Sequence, residues 1–218
     1  MSPRAARKLF DEIGAGSVSS SVKSIFSIIL LCAATLAVSS QTVCAAEEKE
    51  EGFAPLFNGK NFDGWRFTGA AKSPANWKVA EGVIQLSGGG SPHLSTANEY
   101  GDFELRLEWR AKGDKYNSGL YLRSGPNLGS NQLNLAKGSE GGLVGGKVEG
   151  AKAVPALQKP AGEWNEWRVR AVGDKVTFWC NGKLAWEGTG LKPARGHIGM
   201  QAEGAAMEFR NVRLKEIK

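Results

Sequence analysis

The sequence is poor in the residues that hold metals or cross-links. Two histidines and three cysteines in 218 residues are too few and too scattered for a zinc finger or a disulfide framework. No basic cluster exceeds two adjacent residues, so the electrostatic footprint of a nucleic-acid binder is missing. Beyond residue 45 no window carries the 3.6-residue periodicity of an amphipathic helix. Charged residues make up 23% and hydrophobic residues 41%, which excludes wholesale disorder and leaves enough chain to bury a core.

The longest apolar stretch is Ile25–Val38, shorter than the ~20 residues of a membrane-spanning helix. Arg4, Arg7, Lys8 and Lys23 precede it, and Val43-Cys44-Ala45 follows it, ahead of an acid-rich stretch over 47–51. A basic region, a short apolar core and a small-residue cleavage pattern read as an export signal. The expected organisation is a signal peptide over 1–45, a short acidic linker over 46–52 and one domain over 53–218. Cleavage before Ala46 predicts a periplasmic or secreted protein with no membrane contact of its own. The long basic region, which contains Asp11 and Glu12, leaves an N-terminal membrane anchor as the alternative. Four bases and two acids leave with the signal, so the net charge falls from +6 to +4. Cys32 and Cys44 leave as well. Cys180 then stands alone, in alternation with Val176 and Phe178, as a buried apolar filler would.

What the remaining chain has is short strand patterns punctuated by glycine. Trp77–Val79 and Val83–Leu86 flank Glu81-Gly82 as in a hairpin. Phe103, Leu105, Leu107 and Trp109 alternate with Glu104, Arg106, Glu108 and Arg110, the pattern of a half-buried strand. Trp167–Glu187 contains two turns, Gly173-Asp174 and Asn181-Gly182. Asn-Gly suits a type I′ turn because both residues tolerate positive φ. Ile198–Ala202 and Met207–Ile217 supply the last strands. The fold class expected is all-β, a two-sheet jelly-roll sandwich. The run Gly141–Gly146 lacks the Lys-Ser/Thr of a phosphate loop. Trp65, Trp77, Trp109, Trp164 and Trp167 read as core residues rather than ligand platforms.

Eight motifs follow one another: Ala54–Trp65, Asn76–Val83, Tyr100–Leu105, Asn117–Ser124, Gly162–Asn165, Asn181–Lys183, Gly196–Gln201 and Phe209–Val212. In this order they resemble the exported bacterial 3-keto-disaccharide hydrolase domain family, over about residues 53–217. The resemblance implies a concanavalin A-like jelly roll and an activity on 3-keto sugars.

Alternation assigns candidate site residues. Tyr121 and Arg123 share a face opposite Leu120 and Leu122; Gln132 and Asn134 oppose Leu133 and Leu135; His197 and Gln201 oppose Ile198 and Met200. One reading is a carbohydrate cleft on a concave sheet, with Arg123, Gln132, Asn134, His197 and Gln201 as hydrogen-bonding groups and Tyr121 or Trp179 as a stacking platform. The other reading is an ordinary solvated sheet face. Asn117, in Asn117-Ser118-Gly119, either reaches the cleft or simply turns the chain into a strand. His93, after Pro92, is expected in a loop. The partner expected is a small-molecule or oligosaccharide substrate, with no cofactor and no metal.

A two-carboxylate glycosidase needs its acids about 5–9.5 Å apart. Glucanases of this general fold carry Glu-x-Asp-x-x-Glu on one cleft strand, whereas Gln132–Lys137 offers amides and a lysine. Glu104 and Glu108 share a face, but four strand residues separate them by about 13 Å. Chemistry on a 3-keto sugar needs less. The ketone acidifies the C2 proton, its removal expels the glycosidic oxygen from C1, and water adds afterwards. One base and one enolate stabiliser suffice. Arg123 is the expected stabiliser, with His197 or, second, Glu203 as the base. The chain departs from the family where Glu-x-Gln becomes Gln132-Leu133-Asn134, where Thr-Gly-x-x-Tyr is missing from 141–145, and where Asp-His after the last cleft glutamine becomes Ala202-Glu203. Two functions from different classes follow: a glycoside-cleaving enzyme for 3-keto sugars, or a non-catalytic carbohydrate-binding jelly roll.

Overall fold

The computed structural model describes residues 51–69 and 74–218. The expected export signal and most of the expected acidic linker lie outside these residues. The strands, in chain order, are β1 (Ala54–Pro55), β2 (Trp65–Thr68), β3 (Trp77–Ala80), β4 (Val83–Leu86), β5 (His93–Thr96), β6 (Phe103–Ala111) and β7 (Gly119–Ser124). They continue with β8 (Gln132–Asn134), β9 (Leu143–Val144), β10 (Asn165–Val172), β11 (Lys175–Cys180), β12 (Lys183–Gly188), β13 (His197–Met200) and β14 (Met207–Glu216). One 3-10 turn, Pro155–Leu157, is the only helical element among the described residues.

The strands form two antiparallel sheets. The eight-stranded sheet has the order β12-β11-β10-β6-β14-β4-β3, with β1 also pairing β14; the six-stranded sheet has the order β2-β5-β13-β7-β8-β9. This is the all-β, two-sheet sandwich expected from alternation. The turns obey their local chemistry. Glu81 and Gly82 have φ of 53° and 75°, and Asn181 and Gly182 have 50° and 75°, the double positive φ of I′ hairpin turns.

The core lies between the sheets. Leu105, Leu107 and Trp109 from β6 and Trp167 and Val169 from β10 meet Leu120, Leu122, Leu133, Ile198 and Met200 from the smaller sheet. Trp109, Trp167, Phe178 and Trp186 touch in sequence, with ring centroids 5.5, 5.0 and 5.4 Å apart, within the range for favourable edge and tilted contacts. Cys180 is buried there, and its thiol faces the Leu157 carbonyl at 3.4 Å. Four of the five tryptophans expected in the core are buried; Trp164 is not. Its ring carries the guanidinium groups of Arg110 at 4.5 Å and Arg210 at 4.0 Å.

The outer face of the eight-stranded sheet is a charge lattice. Glu104 pairs with Arg106, Arg168 and Arg170, Glu108 with Arg210, and Glu208 with Arg110 and Lys112. Burial raises the Glu104 carboxyl's pKa, but hydrogen bonds from Arg168 and Arg106 outweigh it and hold the group below the ordinary range. These acids are committed to arginines rather than free for chemistry.

Candidate functional site

The outer face of the six-stranded sheet is built differently. Strand β7 lies between β13 and β8. Its inward residues Leu120 and Leu122 are in the core, and Tyr121 points outward opposite Gln132 on one side and Gly199 on the other. Gln132 reaches across Gly119, and its Nε2 donates to Gln201 Oε1 at 2.5 Å. A Cβ on Gly119 would stand 1.9 Å from that Nε2, so only glycine leaves the crossing open. Ser118 secures the same corner by donating its hydroxyl to the Gln201 carbonyl at 2.7 Å.

The histidine at this site is His93. It opens β5 rather than lying in a loop, with Leu94 turned into the core. Its ring sits 5.7 Å from that of Tyr121. The Ala202 backbone N–H donates to His93 Nδ1 at 3.2 Å, so the neutral ring carries its proton on Nε2. Burial lowers the His93 pKa, and the nearby Glu203 carboxylate partly opposes this. Burial and Glu203 together raise the Tyr121 pKa, which keeps the phenol protonated. Glu203 itself is exposed. The gathered groups are therefore one accessible carboxylate, two neutral proton donors and two bridged amides.

Three residues expected here lie elsewhere. Arg123 is completely buried. Between Tyr121↔Gly199 and Ser124↔His197, β7 spends one residue more than β13, and Arg123 takes φ 43°. This bulge turns the side chain off the face that strict alternation assigns to it. Its guanidinium donates to the carbonyls of Gly101 (2.7 Å), Gly173 (2.5 Å) and Ala171 (3.3 Å) and to Asp102 (2.8 Å). Arg123 is a structural tie, not an enolate stabiliser. Trp179 belongs to β11, in the other sheet, where Arg168 covers its ring at 4.3 Å; it is not a platform for this site.

His197 is on the smaller sheet, but four strand residues separate it from Gln201, about 13 Å. It is buried, donating from Nδ1 to the Asn98 carbonyl at 3.2 Å. The loop after β7 lays Leu128 on Gly199, covering the face between His197 and Tyr121. His197 is not placed as a base for this site. Asn134 is near but spent on its own turn, donating to Ser139 Oγ at 3.2 Å and accepting from the Ala136 N–H at 3.1 Å. Asn117 lines a pocket of about 470 Å³ at the end of the same strands, with Asp114, Lys115, Tyr116, Ala136, Lys137 and Gly204.

Sequence reasoning missed His93, although Leu94 beside it carried the same alternation signal as Ile198 beside His197. Among the described residues no three His, Cys, Asp or Glu side chains gather in a way that could hold a metal ion.

The fold and the motifs have relatives. Residues 52–215 match the 3-keto-alpha-glucoside-1,2-lyase-like domain family. A 3-keto-disaccharide hydrolase of Bacteroides thetaiotaomicron is 25% identical over 229 aligned residues, covering 76% of this chain and 78% of that protein. A crystal structure from Parabacteroides distasonis, provisionally assigned to the glycosyl hydrolases, superposes with a TM-score of 0.61 at 24% identity, over 77% of this chain and 95% of that one. The Bacillus licheniformis β-glucanase gives 0.56 at 12% identity, over 76% and 97% of the chains. The carbohydrate-binding module CBM66 of Bacillus subtilis gives 0.56 at 15%, over 70% and 96%. Similarity at these identities to an enzyme and to a binding module alike speaks for the shared jelly roll alone. The match over 52–215 goes further: this chain belongs to the 3-keto-alpha-glucoside-1,2-lyase-like family and is a carbohydrate-active domain of the glycosyl hydrolase-like kind.

Proposed function

We propose that the domain cleaves 3-keto-glycosides by elimination at the outer face of the six-stranded sheet. The observation that carries this reading is that the Ala202 N–H binds His93, whose ring lies 5.7 Å from that of Tyr121, which brings the next residue, the exposed Glu203, to this pair beside the Gln132–Gln201 bridge. Glu203 takes the C2 proton of the keto sugar. The C2–H electron pair becomes the new C1–C2 double bond, by way of the enolate, and the C1–O bond breaks toward the leaving sugar. His93 Nε2–H and the Tyr121 hydroxyl are the donors available to the C3 oxygen as it gains charge. The leaving alkoxide takes up a proton, and water adds to the unsaturated sugar to complete a net hydrolysis. The amides of Gln132 and Gln201 serve sugar hydroxyls, since each has hydrogen-bonding capacity beyond their mutual bond. With the N-terminal export pattern, the place of action is the periplasm or beyond.

The test is incubation of the purified protein with a 3-keto disaccharide and with the ordinary disaccharide. Release of monosaccharide from the keto substrate only, with solvent deuterium entering C2, supports the proposal. A general base contributes about 10²–10⁴-fold, so Glu203→Gln should cost at least a hundred-fold in turnover with the fold intact. The replacement of the family's acid by Gln132 favours a second reading, a non-catalytic sugar-binding domain. Binding of the keto sugar without cleavage would establish that reading instead.

A further inference from the structure

The pocket lined by Asn117 has features that the elimination chemistry does not use. It continues the site along three segments. Asn117 stands two residues before Gly119, over which Gln132 crosses; Ala136 and Lys137 follow Asn134; and Gly204 follows Glu203. Two strand residues span about 7 Å, so the pocket lies one sugar ring beyond the Gln132–Gln201 bridge. Its volume of about 470 Å³ is enough for such a ring.

Its charge is specific. Lys115 and Lys137 line it against a single carboxylate, Asp114. Both lysines are exposed, and neither ammonium is in a salt bridge among the described residues. Lys112 behaves otherwise, pairing with Glu208 at 3.5 Å. Lys137 is instead held 5.9 Å above the Tyr116 ring. That ring is fixed from behind, because the Tyr116 hydroxyl donates to the buried Glu140 at 2.5 Å and Glu140 also accepts from the Gly138 N–H at 3.0 Å. A fixed aromatic ring thus carries one ammonium, and Lys115 and Asn117 line the same pocket on either side of Tyr116 in the chain.

We infer that this pocket receives the second ring of the substrate and selects one bearing an anionic group, with Lys115 and Lys137 as the cationic contacts and Asn117 as a neutral one. The inference rests on the sugar site proposed above. An acidic substituent on the leaving sugar, a uronate carboxylate being the simplest, fits two exposed ammonium groups that have no salt-bridge partner among the described residues. Exposed charges of this kind act over short range and are screened by salt, so the selection should be salt-sensitive.

The experiment compares two 3-keto disaccharides that share the reacting ring, one with glucose and one with glucuronic acid as the leaving ring, at low and high salt. The wild-type protein should show a kcat/KM at least ten-fold higher for the acidic substrate at low salt, and the advantage should shrink at high salt. The double variant Lys115→Gln/Lys137→Gln should lose at least ten-fold more on the acidic substrate than on the neutral one. Equal handling of the two substrates by the wild type, with both cleaved, overturns the inference and leaves the elimination proposal standing. So does a double variant that loses equally on both. If neither substrate is cleaved or bound, the sugar site itself fails and the inference falls with it.

Discussion

Gln132 and Gln201 join side chains over a strand that belongs to neither of them. Gln132 sits on β8, Gln201 follows β13, and β7 runs between, with Gly119 beneath the 2.5 Å hydrogen bond. The bridge fixes both amides before any ligand arrives, which lowers the ordering cost of binding.

Gly119→Ala tests that arrangement. The new Cβ would meet Gln132 Cγ and Cδ at 2.4 Å as well as Nε2, so the side chain must swing away and release Gln201. The expected result is a five- to ten-fold loss of sugar affinity, about 1 kcal/mol for one or two hydrogen bonds. Isothermal titration with a keto sugar measures it. Unchanged affinity would show that the amides do not contact the ligand.

Arg123→Met should damage stability rather than recognition. The substitution takes a donor from three backbone carbonyls and leaves Asp102 with the Gly173 N–H but without its cationic partner. The cost is about 3 kcal/mol, since buried acceptors lose their donor together with a charge-assisted bond. Urea denaturation reads the loss. Protein that remains folded should bind sugar as the wild type does.

The His93 pKa is a third handle. Burial pulls it below 6.5, with Glu203 opposing. The unfolded chain therefore binds this proton more readily than the folded one. The stabilising contribution is complete above the unfolded pKa and disappears as pH falls through the lowered folded value. His93→Gln should flatten that part of the stability curve. Glu203→Gln should move the His93 pKa lower still. NMR titration of the His93 ring reads both.

Cys180 should be inert. Burial raises its thiol pKa to about 11, and the thiolate is the reactive form. At neutral pH Cys180 should resist alkylation by iodoacetamide in the folded protein, as read by peptide mass mapping, and react freely in the denatured chain. Rapid labelling of Cys180 in the native protein would contradict the burial of β11.

Much of this protein was legible in the sequence because strands report themselves locally. Alternation over Phe103–Arg110 put leucines and Trp109 inward and charges outward, and Asn181-Gly182 marked its own turn, since both depend only on neighbouring residues. Tyr121, Gln132 and Gln201 follow the same rule, each beside an aliphatic neighbour that turns into the core. What the sequence could not state is where the rule is interrupted and which sheet each strand joins. A single extra residue in β7, visible only against its partner β13, moves Arg123 from the expected face into the interior. Trp179 obeys alternation perfectly but lies on the other sheet. Between two histidines with the same local pattern, only the tertiary structure chooses. Leu128 from a distant loop covers the face beside His197, while β5 brings His93 against Tyr121. Periodicity is a property of the backbone and is written in the chain. Convergence of side chains depends on pairing between strands far apart in sequence, and only the assembled sheets supply it.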